Sequence, residues 1–355
     1  MFMADYSYQT HSANKIIKDI QKKGVEAAVL AASPSAGKTT ISHIVISQYV
    51  KKFNNCRVLV LTHGQNLLKN QYIESLENPN VDINFTFGEF SSDAQVKIGL
   101  PQSIKKLDWE GVDLLVVDEC HEFYLKKMVQ SIVSKLKPRH QVLLTGSPSE
   151  FNRLKLMGIK YEITYISGND LIKNDVFSTV EMNVVKIEDK KNVVKSLDKM
   201  ISMAVDKKEN MSKIMIAVNR IKDAVSVYDY LKSIGRKVVF STNKNDRDSD
   251  LIKDFKSGKY DTLIVVQRGI LGFSDNYITG IFDLRCSSDV DISNQLFARV
   301  LRKHPDGVKK FYYRCGNPRS KDFNNQVIML HKIKALMKSD VFRNYDGTNM
   351  TVRIS

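Results

Sequence analysis

Short, continuous apolar runs recur along the chain, and most are followed by a stretch with helical spacing. In the first half these runs are Ala28–Ala32, Arg57–Thr62, Val112–Val117 and Gln141–Thr145, with weaker ones at Val81–Phe87 and Val96–Ile98. Runs that do not alternate with polar residues are how strands of a parallel sheet read when both faces are covered. The intervening segments supply the covers. Thr39–Lys52 places Ile41, Ile44, Val45 and Tyr49 on one side of a helix, and Glu122–Lys137 places Phe123, Met128, Ile132 and Leu136 at helical spacings. The pattern weakens between Phe151 and Phe177 and then restarts. Strands are expected at Ser212–Val218, Lys237–Phe240, Asp261–Val266 and Ile278–Leu284, and helices at Ile221–Ile234, Arg247–Lys256 and Asp291–Leu301. Gly235 supplies a C-terminal stop for the first of these helices.

Strand-then-helix repetition means doubly wound α/β architecture, and its interruption means two such units. The expected division is 1–168, 169–320 and a basic C-terminal helix and tail over 321–355, with the helix at Asn325–Lys338 followed by a short ragged end. A chain of 355 residues has the length for two domains. Ligands of such sheets sit at the carboxyl ends of the strands, so a site shared by two units would lie in the cleft between them.

Charge narrows the partners. Lys and Arg total 54 against 39 Asp and Glu, a net charge of +15. From Arg299 onward there are 13 Lys or Arg against 4 Asp, a local net of +9. This favours a polyanion. The tail has two readings: a nucleic-acid contact through Lys332, Lys334 and Lys338, or a helix packed on the second unit by Ile328, Leu330, Ile333 and Leu336. Cys56, Cys120, Cys286 and Cys315 are scattered without a CxxC pair, which does not read as a disulfide framework or a zinc site. No apolar run reaches membrane-span length and the first residues lack a signal-peptide pattern, so a cytoplasmic location without a membrane partner is expected.

Four segments carry chemistry. The run at Val29–Ala32 leads into Ser33-Pro-Ser-Ala-Gly-Lys-Thr-Thr40, the phosphate-loop pattern with Ala32 in place of the usual first Gly. Gly37 lets successive N–H groups face an anion, and the helix opening at Thr39 points its positive end at it. Lys38 would reach the β- and γ-phosphates, and the Thr39 hydroxyl would hold Mg²⁺. The second segment is Asp118-Glu-Cys-His121 at the end of a buried strand. Asp118 would hold Mg²⁺ through water, Glu119 would orient an attacking water, and His121 would couple the site to its surroundings. The third is Thr145-Gly-Ser147, whose hydroxyls suit a link to the 118–121 loop, with an ordinary strand-ending turn as the alternative. The fourth is Gln295–Arg302, with Arg299 and Arg302 three apart on one helix face.

Together, in this order and at these distances, the segments resemble superfamily 2 helicases and translocases, over residues 5 to 315. Residues 33–40 resemble motif I, Asp118–His121 motif II, Thr145–Ser147 motif III and Gln295–Arg302 motif VI. Leu61–Leu67 resembles motif Ia, Ile98–Ile104 a strand-contacting motif, Ile214–Asn219 motif IV and Leu263–Ser274 motif V. Within the superfamily the chain is most similar to phage branched-DNA helicases of the UvsW type and to restriction-enzyme motor subunits, and less similar to DEAD-box RNA helicases.

The resemblance implies two tandem RecA-like domains and hydrolysis of ATP with Mg²⁺. The catalytic set is Lys38, Asp118, Glu119, His121, Arg299 and Arg302. Nucleotide contacts are implied for Tyr8, Gln9, Ser35, Ala36, Gly37, Lys38, Thr39, Thr40, Gly272, Arg299 and Arg302, and metal contacts for Thr39 and Asp118. Nucleic-acid contacts are implied for Thr62, His63, Gln102, Asn219, Arg220, Ser241 and Arg268. The implied partner is single-stranded, duplex or branched DNA, with RNA as the alternative polymer, and other replication, recombination or restriction proteins. A nucleotide-switched binding module with little hydrolysis is the competing reading. The chain departs from the family pattern at Ala298, where motif VI usually has Gly, at Leu100, where a Thr is usual, and at Ser274, where motif V commonly ends in Asp; Asp275 is one residue along.

Overall fold

A computed structural model describes residues 6–32, 36–62, 85–87, 94–102, 107, 109–120, 124–146, 158–166, 171, 174–178, 180–186, 192–242, 245–246, 250–266, 275–285, 290–316, 341–345 and 349–354. The chain divides into two compact units, residues 5–167 and residues 168–355 with 1–4. Each is a mainly parallel sheet flanked by helices, the arrangement of tandem RecA-like domains.

In the first unit the strands are β1 (Ala27–Ala32), β2 (Val58–Leu61), β3 (Phe85–Phe87), β4 (Val96–Gly99), β5 (Leu114–Val117), β6 (His140–Thr145) and β7 (Tyr161–Ile166). They pair in the order β3-β4-β2-β5-β6-β1-β7, every pair parallel. The all-apolar β1 is buried along its whole length, as a central parallel strand must be. The helices are α1 (Ser7–Asp19), α2 (Lys38–Lys52) and α3 (Lys127–Leu136). One face of the sheet packs Leu59, Leu115, Val117 and Leu143 against Val129, Ile132 and Leu136 of α3. The stripe of α3 therefore begins at Val129. Met128, expected on it, is 44% exposed, because the i, i+3, i+7 spacing from Val129 points Met128 outward. In α2, Ile41, Val45 and Tyr49 are buried as expected, while Ile44 is half-buried.

The second unit contains β8 (Val180–Lys186), β9 (Ile214–Val218), β10 (Val238–Ser241), β11 (Thr262–Val266), β12 (Gly280–Asp283), β13 (Lys310–Gly316), β14 (Val341–Tyr345) and β15 (Asn349–Ile354). Its helices are α4 (Val193–Asp206), α5 (Ile221–Ser233), α6 (Asp250–Lys256) and α7 (Val290–Leu301). The sheet order is β10-β11-β9-β12-β13-β8-β15-β14. Only the last two strands run antiparallel to their neighbours. Gly280 lies under the Phe311 ring, which a Cβ there would overlap. Phe311, Tyr312 and Tyr313 are fully buried.

Two expectations change here. The ragged end expected after residue 338 is a hairpin, β14–β15, whose second strand pairs with β8 from Val180↔Ile354 to Val185↔Asn349. It satisfies the backbone groups that β8 would otherwise present as an open edge. The helix expected at 325–338 lies outside the described residues. The cysteines were not expected to pair, yet Cys315 is disulfide-bonded; Cys56 and Cys120 are buried free thiols. Among the described residues no helix is long and apolar enough to cross a membrane.

Candidate active site

Strand register brings the first unit's motifs to one end of its sheet. Ala31 of β1 is opposite Thr145 of β6, and Leu143 of β6 is opposite Val117 of β5. The exits of β1, β6 and β5 thus stand side by side, carrying the phosphate-loop sequence, Thr145-Gly146 and Asp118-Glu119. Thr145 is buried between the other two segments.

Ala36 and Gly37 lead directly into α2. Gly37 is left-handed, at φ 79° and ψ 35°, and α2 has no side-chain cap. Its first N–H groups are consequently those a phosphate would use. The segment preceding β1 braces the turn. Tyr8 Oη donates to the Ala36 carbonyl at 2.9 Å. Gln9 is buried and lies so close that a Cβ on Gly37 would overlap its Nε2 and sit 3.3 Å from its Cδ. The Ser42 hydroxyl, one turn into the helix, donates to the Thr39 carbonyl at 2.8 Å. Thr40 is exposed and Thr39 half-buried.

The carboxylates are fixed by backbone geometry. Asp118 N–H donates to the Leu61 carbonyl at 2.9 Å, continuing the β5–β2 ladder one residue past the strand. Asp118 is 4% exposed, and its Oδ1 accepts from Glu119 N–H at 3.0 Å. Glu119 has φ 46°, a left-handed conformation that a non-glycine residue adopts at a cost of about 1–3 kcal/mol. Lys38 Nζ lies 3.6 Å from Glu119 Oε1, with both side chains mostly covered. One cation and two carboxylates from two strand exits therefore converge on the open end of α2. Such a set fits a magnesium–triphosphate group: oxygen donors for a hard cation, an ammonium and helix N–H groups for the anion. Cys120 is inert filler, since burial pushes its thiol far up. Ser35, His121 and Ser147 lie outside the described residues.

In the second unit, Arg299 lies in the last turn of α7 and Arg302 just past its end, both half-buried. Ala298 is 1% exposed, so its methyl group fills a helix contact. Asp275 does not stand free for the role of a motif V aspartate, because Lys213 Nζ is 2.7 Å from its Oδ2. Gly272 and Arg268 lie outside the described residues.

The nucleic-acid candidates divide sharply. Thr62 is 0% exposed and Ser241 is buried with its hydroxyl on Asp246 Oδ2 at 2.7 Å, so neither is displayed to a strand. Both close buried β-strands, and their short side chains stay within the strand layer. Asn219, Arg220 and Gln102 are exposed. Asn219 Nδ2 donates to the Arg285 carbonyl at 2.7 Å, and Arg220 grips Asp223 with two bonds of 2.8 and 2.9 Å. His63 lies outside the described residues.

Sequence reasoning missed a buried network at the same strand ends. Arg285 holds Asp283 through bonds of 2.8 and 2.9 Å, and Tyr312 Oη donates to Asp283 Oδ2 at 2.8 Å. Burial would raise the Asp283 carboxyl, but Arg285, Arg314 and the Tyr312 hydroxyl outweigh it and hold it down. The signal was the Asp-x-Arg at 283–285 closing an apolar run.

Residues 2–150 match the family described as Type III restriction enzyme, res subunit. Among curated proteins no sequence match was found. Among solved structures, Saccharomyces cerevisiae Dbp5 bound to RNA and ADP BeF3 is similar at TM-score 0.66 and 15% identity, over 92% of this chain and 86% of that one. A fragment of a putative HsdR subunit of a type I restriction enzyme from Vibrio vulnificus is similar at 0.66 and 14%, over 89% and 64%. The Hef helicase domain of Pyrococcus furiosus is similar at 0.55 and 15%, over 91% and 97%. At these identities the structures share the fold. The family match covers residues 2–150, and the solved structures share the two-unit fold.

Proposed function

We propose that the chain is a nucleic-acid-dependent ATPase of the superfamily 2 type that translocates on, or remodels, duplex or branched DNA. The observation that carries the ATPase reading is the convergence of Lys38, Asp118 and Glu119 at the uncapped start of α2, with Lys38 and Glu119 3.6 Å apart. The match of residues 2–150 to a restriction-enzyme family favours DNA, whereas Dbp5 of similar fold is bound to RNA in its structure.

In this reading the α2 N–H groups and Lys38 receive the β- and γ-phosphates, and Tyr8 and Gln9 face the nucleotide from behind the loop. Thr39 and Asp118 would hold Mg²⁺, which when bound neutralises charge on the phosphate oxygens. Glu119, freed from Lys38 as the phosphates engage that ammonium, takes a proton from the attacking water. Arg299 and Arg302 act as arginine fingers on the γ-phosphate. Exposed Arg220, Asn219 and Gln102, with the net charge of +15, supply a sequence-independent, salt-sensitive grip on a phosphate backbone.

The test is steady-state ATP hydrolysis without polymer and with single-stranded DNA, duplex DNA, a forked junction or RNA. Stimulation by duplex or forked DNA supports the reading, and stimulation by RNA alone replaces DNA with RNA. Negligible turnover on every polymer, with ATP still bound, rejects the motor and leaves a nucleotide-switched binding module.

A further inference from the structure

The first unit gathers cations at the pole opposite its phosphate-loop segment. That segment follows the carboxyl end of β1 and opens α2, which then runs 15 residues, about 22 Å, from Lys38 to Lys52. There the chain turns back into β2, and the turn after α3 leads likewise into β6. The two helix ends and the turns beyond them carry Lys51, Lys52, Arg57, Lys135, Lys137 and Arg139, all exposed. Neither stretch, 49–57 or 135–140, contains an acid.

Strand register brings the two turns together. Val58, Leu114 and His140 are partners across β2, β5 and β6, so Arg57, Asp113 and Arg139 form a row one residue earlier. Neighbouring strands lie about 4.8 Å apart, which sets the backbones of Arg57 and Arg139 about 10 Å apart. Asp113 is the acid in the row, and its Oδ2 accepts from Arg57 N–H at 2.8 Å. Aromatic rings order the surface beside it. Tyr49 Oη meets His140 Nδ1 at 2.8 Å, and the Tyr49 and Phe53 ring centroids are 4.6 Å apart. The Phe53 ring takes Lys52 Nζ at 5.7 Å and Arg139 Cζ at 5.6 Å.

Among the described residues none of the six cations makes an ion pair. Exposed cations elsewhere do: Lys22 with Asp19, Lys253 with Asp250 and Lys259 with Asp254. The helix dipole accounts for Lys51, Lys52 and Lys135, which lie in the last turns of α2 and α3. It does not account for Arg57, Lys137 and Arg139, which lie beyond the helices. Lys137 even occupies a left-handed position, φ 43°, that glycine would fill without strain. Like charges gathered this way repel one another, and a bound polyanion relieves that repulsion. None of the exposed large apolar side chains described lies in either stretch, so the surface lacks the apolar centre of a protein interface.

We propose that this pole is a second nucleic-acid contact, an electrostatic seat for a phosphodiester backbone in which Arg57, Lys137 and Arg139 pair with phosphates. Gln102 lies past the carboxyl end of β4, so the first unit would engage nucleic acid at both poles, as two arms of one branched polymer require. The proposal deepens the nucleic-acid part of the reading above and uses none of its nucleotide chemistry.

Two measurements on the full chain test it. The first compares wild type with the triple variant Arg57→Gln/Lys137→Gln/Arg139→Gln, without nucleotide, by fluorescence anisotropy. Labelled single-stranded DNA, duplex DNA, a forked junction and RNA are each titrated at about 50 to 200 mM salt. The variant should bind about fivefold to thirtyfold more weakly at the lowest salt, and its slope of log K against log salt should shrink by about 2 to 3. The polymer that loses most names the source of the phosphates. An unchanged melting temperature is the folding control.

The second measurement needs no variant. Oligonucleotides carrying 5-iodouracil are photo-cross-linked to wild type and the sites are mapped by mass spectrometry. Cross-links at Phe53 or His140 are expected. Cross-links at neither residue, with equal affinity and salt slope in the variant, would overturn the proposal. Polyglutamate that displaces those cross-links as readily as unlabelled DNA would assign an acidic protein to this pole and overturn it too. Polymer-stimulated ATP hydrolysis that is identical in wild type and variant, with equal binding, leaves the ATPase reading standing and removes the second contact. Binding through this pole by a chain that hydrolyses no ATP does the reverse.

Discussion

Two regions, one in each unit, treat buried charge in opposite ways. In the first, Asp118 and Glu119 lie just past the end of a strand, and the pair formed there is loose, with Lys38 3.6 Å from Glu119. In the second, carboxylates lie within or at the ends of strands and are gripped tightly. Asp283 takes two bonds of 2.8 and 2.9 Å from Arg285, and Glu181 takes Lys207 at 2.6 Å and Lys309 at 3.3 Å. A loose pair at the mouth of a helix yields to an incoming anion. A bidentate pair in the interior does not, because separating it leaves a desolvated charge. The first region leaves its charge free to yield, and the second neutralises its own and serves as a frame.

This contrast predicts where substitutions act, and the largest effect separates chemistry from stability. Glu119→Gln should lower ATP turnover by about 10²- to 10⁴-fold while leaving nucleotide binding in place and stability within about 0.5 kcal/mol. A fluorescent-nucleotide titration beside steady-state kinetics reads both. A comparable loss of stability would break the contrast from the first unit's side. In the second unit, Asp283→Ala leaves Arg285 and Arg314 without their carboxylate and should cost about 3–5 kcal/mol of stability. Chemical denaturation of the whole chain measures it, and a change near zero would mean that the network is not the frame it is taken for.

Acid titration sharpens the same point. Burial would raise the Glu181 carboxyl, but Lys207 and Lys309 bring it down to about 2, below its ordinary 4.5. A carboxylate depressed on folding stabilises the protein above its ordinary value and loses that stabilisation as the pH falls from about 4.5 toward about 2. The shift corresponds to about 3 kcal/mol. Unfolding measured from pH 6 down to pH 3 should steepen in wild type and lose part of that slope in Glu181→Gln. Equal slopes would place the acid sensitivity elsewhere.

What was legible in the sequence follows the same division. Segments whose chemistry demands fixed residues at fixed spacing, Ala36–Thr39 and Asp118–Glu119, could be read because strand, turn and helix signals agree around them. β8 was missed because Glu181 and Asn183 interrupt its apolar run, and only the cations that neutralise Glu181 make the strand recognisable as buried. The β14–β15 hairpin was missed because its partner, β8, lies more than 150 residues upstream. Motif position makes Thr62 and Ser241 candidate nucleic-acid contacts, yet both residues are buried. Burial is a property of packing, which local sequence does not carry.

The smallest predicted effect tests how tightly the first unit's loop is braced. Gly37 meets two demands at once: a left-handed backbone, and room for Gln9 Nε2 where a Cβ would go. Gly37→Ala should cost about 1–2 kcal/mol, part from strain at φ 79° and part from displacing Gln9. The two parts separate in a double-mutant cycle. In a Gln9→Ala background the steric part vanishes while the backbone part remains, so Gly37→Ala should cost less there by about 0.5–1 kcal/mol. Urea denaturation of the four proteins measures the difference. Equal costs in both backgrounds would show that Gln9 gives way freely and that the loop depends on the backbone of Gly37 alone. A smaller cost in the Gln9→Ala background would show that Gln9 is packed as part of the loop, and that the segment before β1 takes part in holding the phosphate site open.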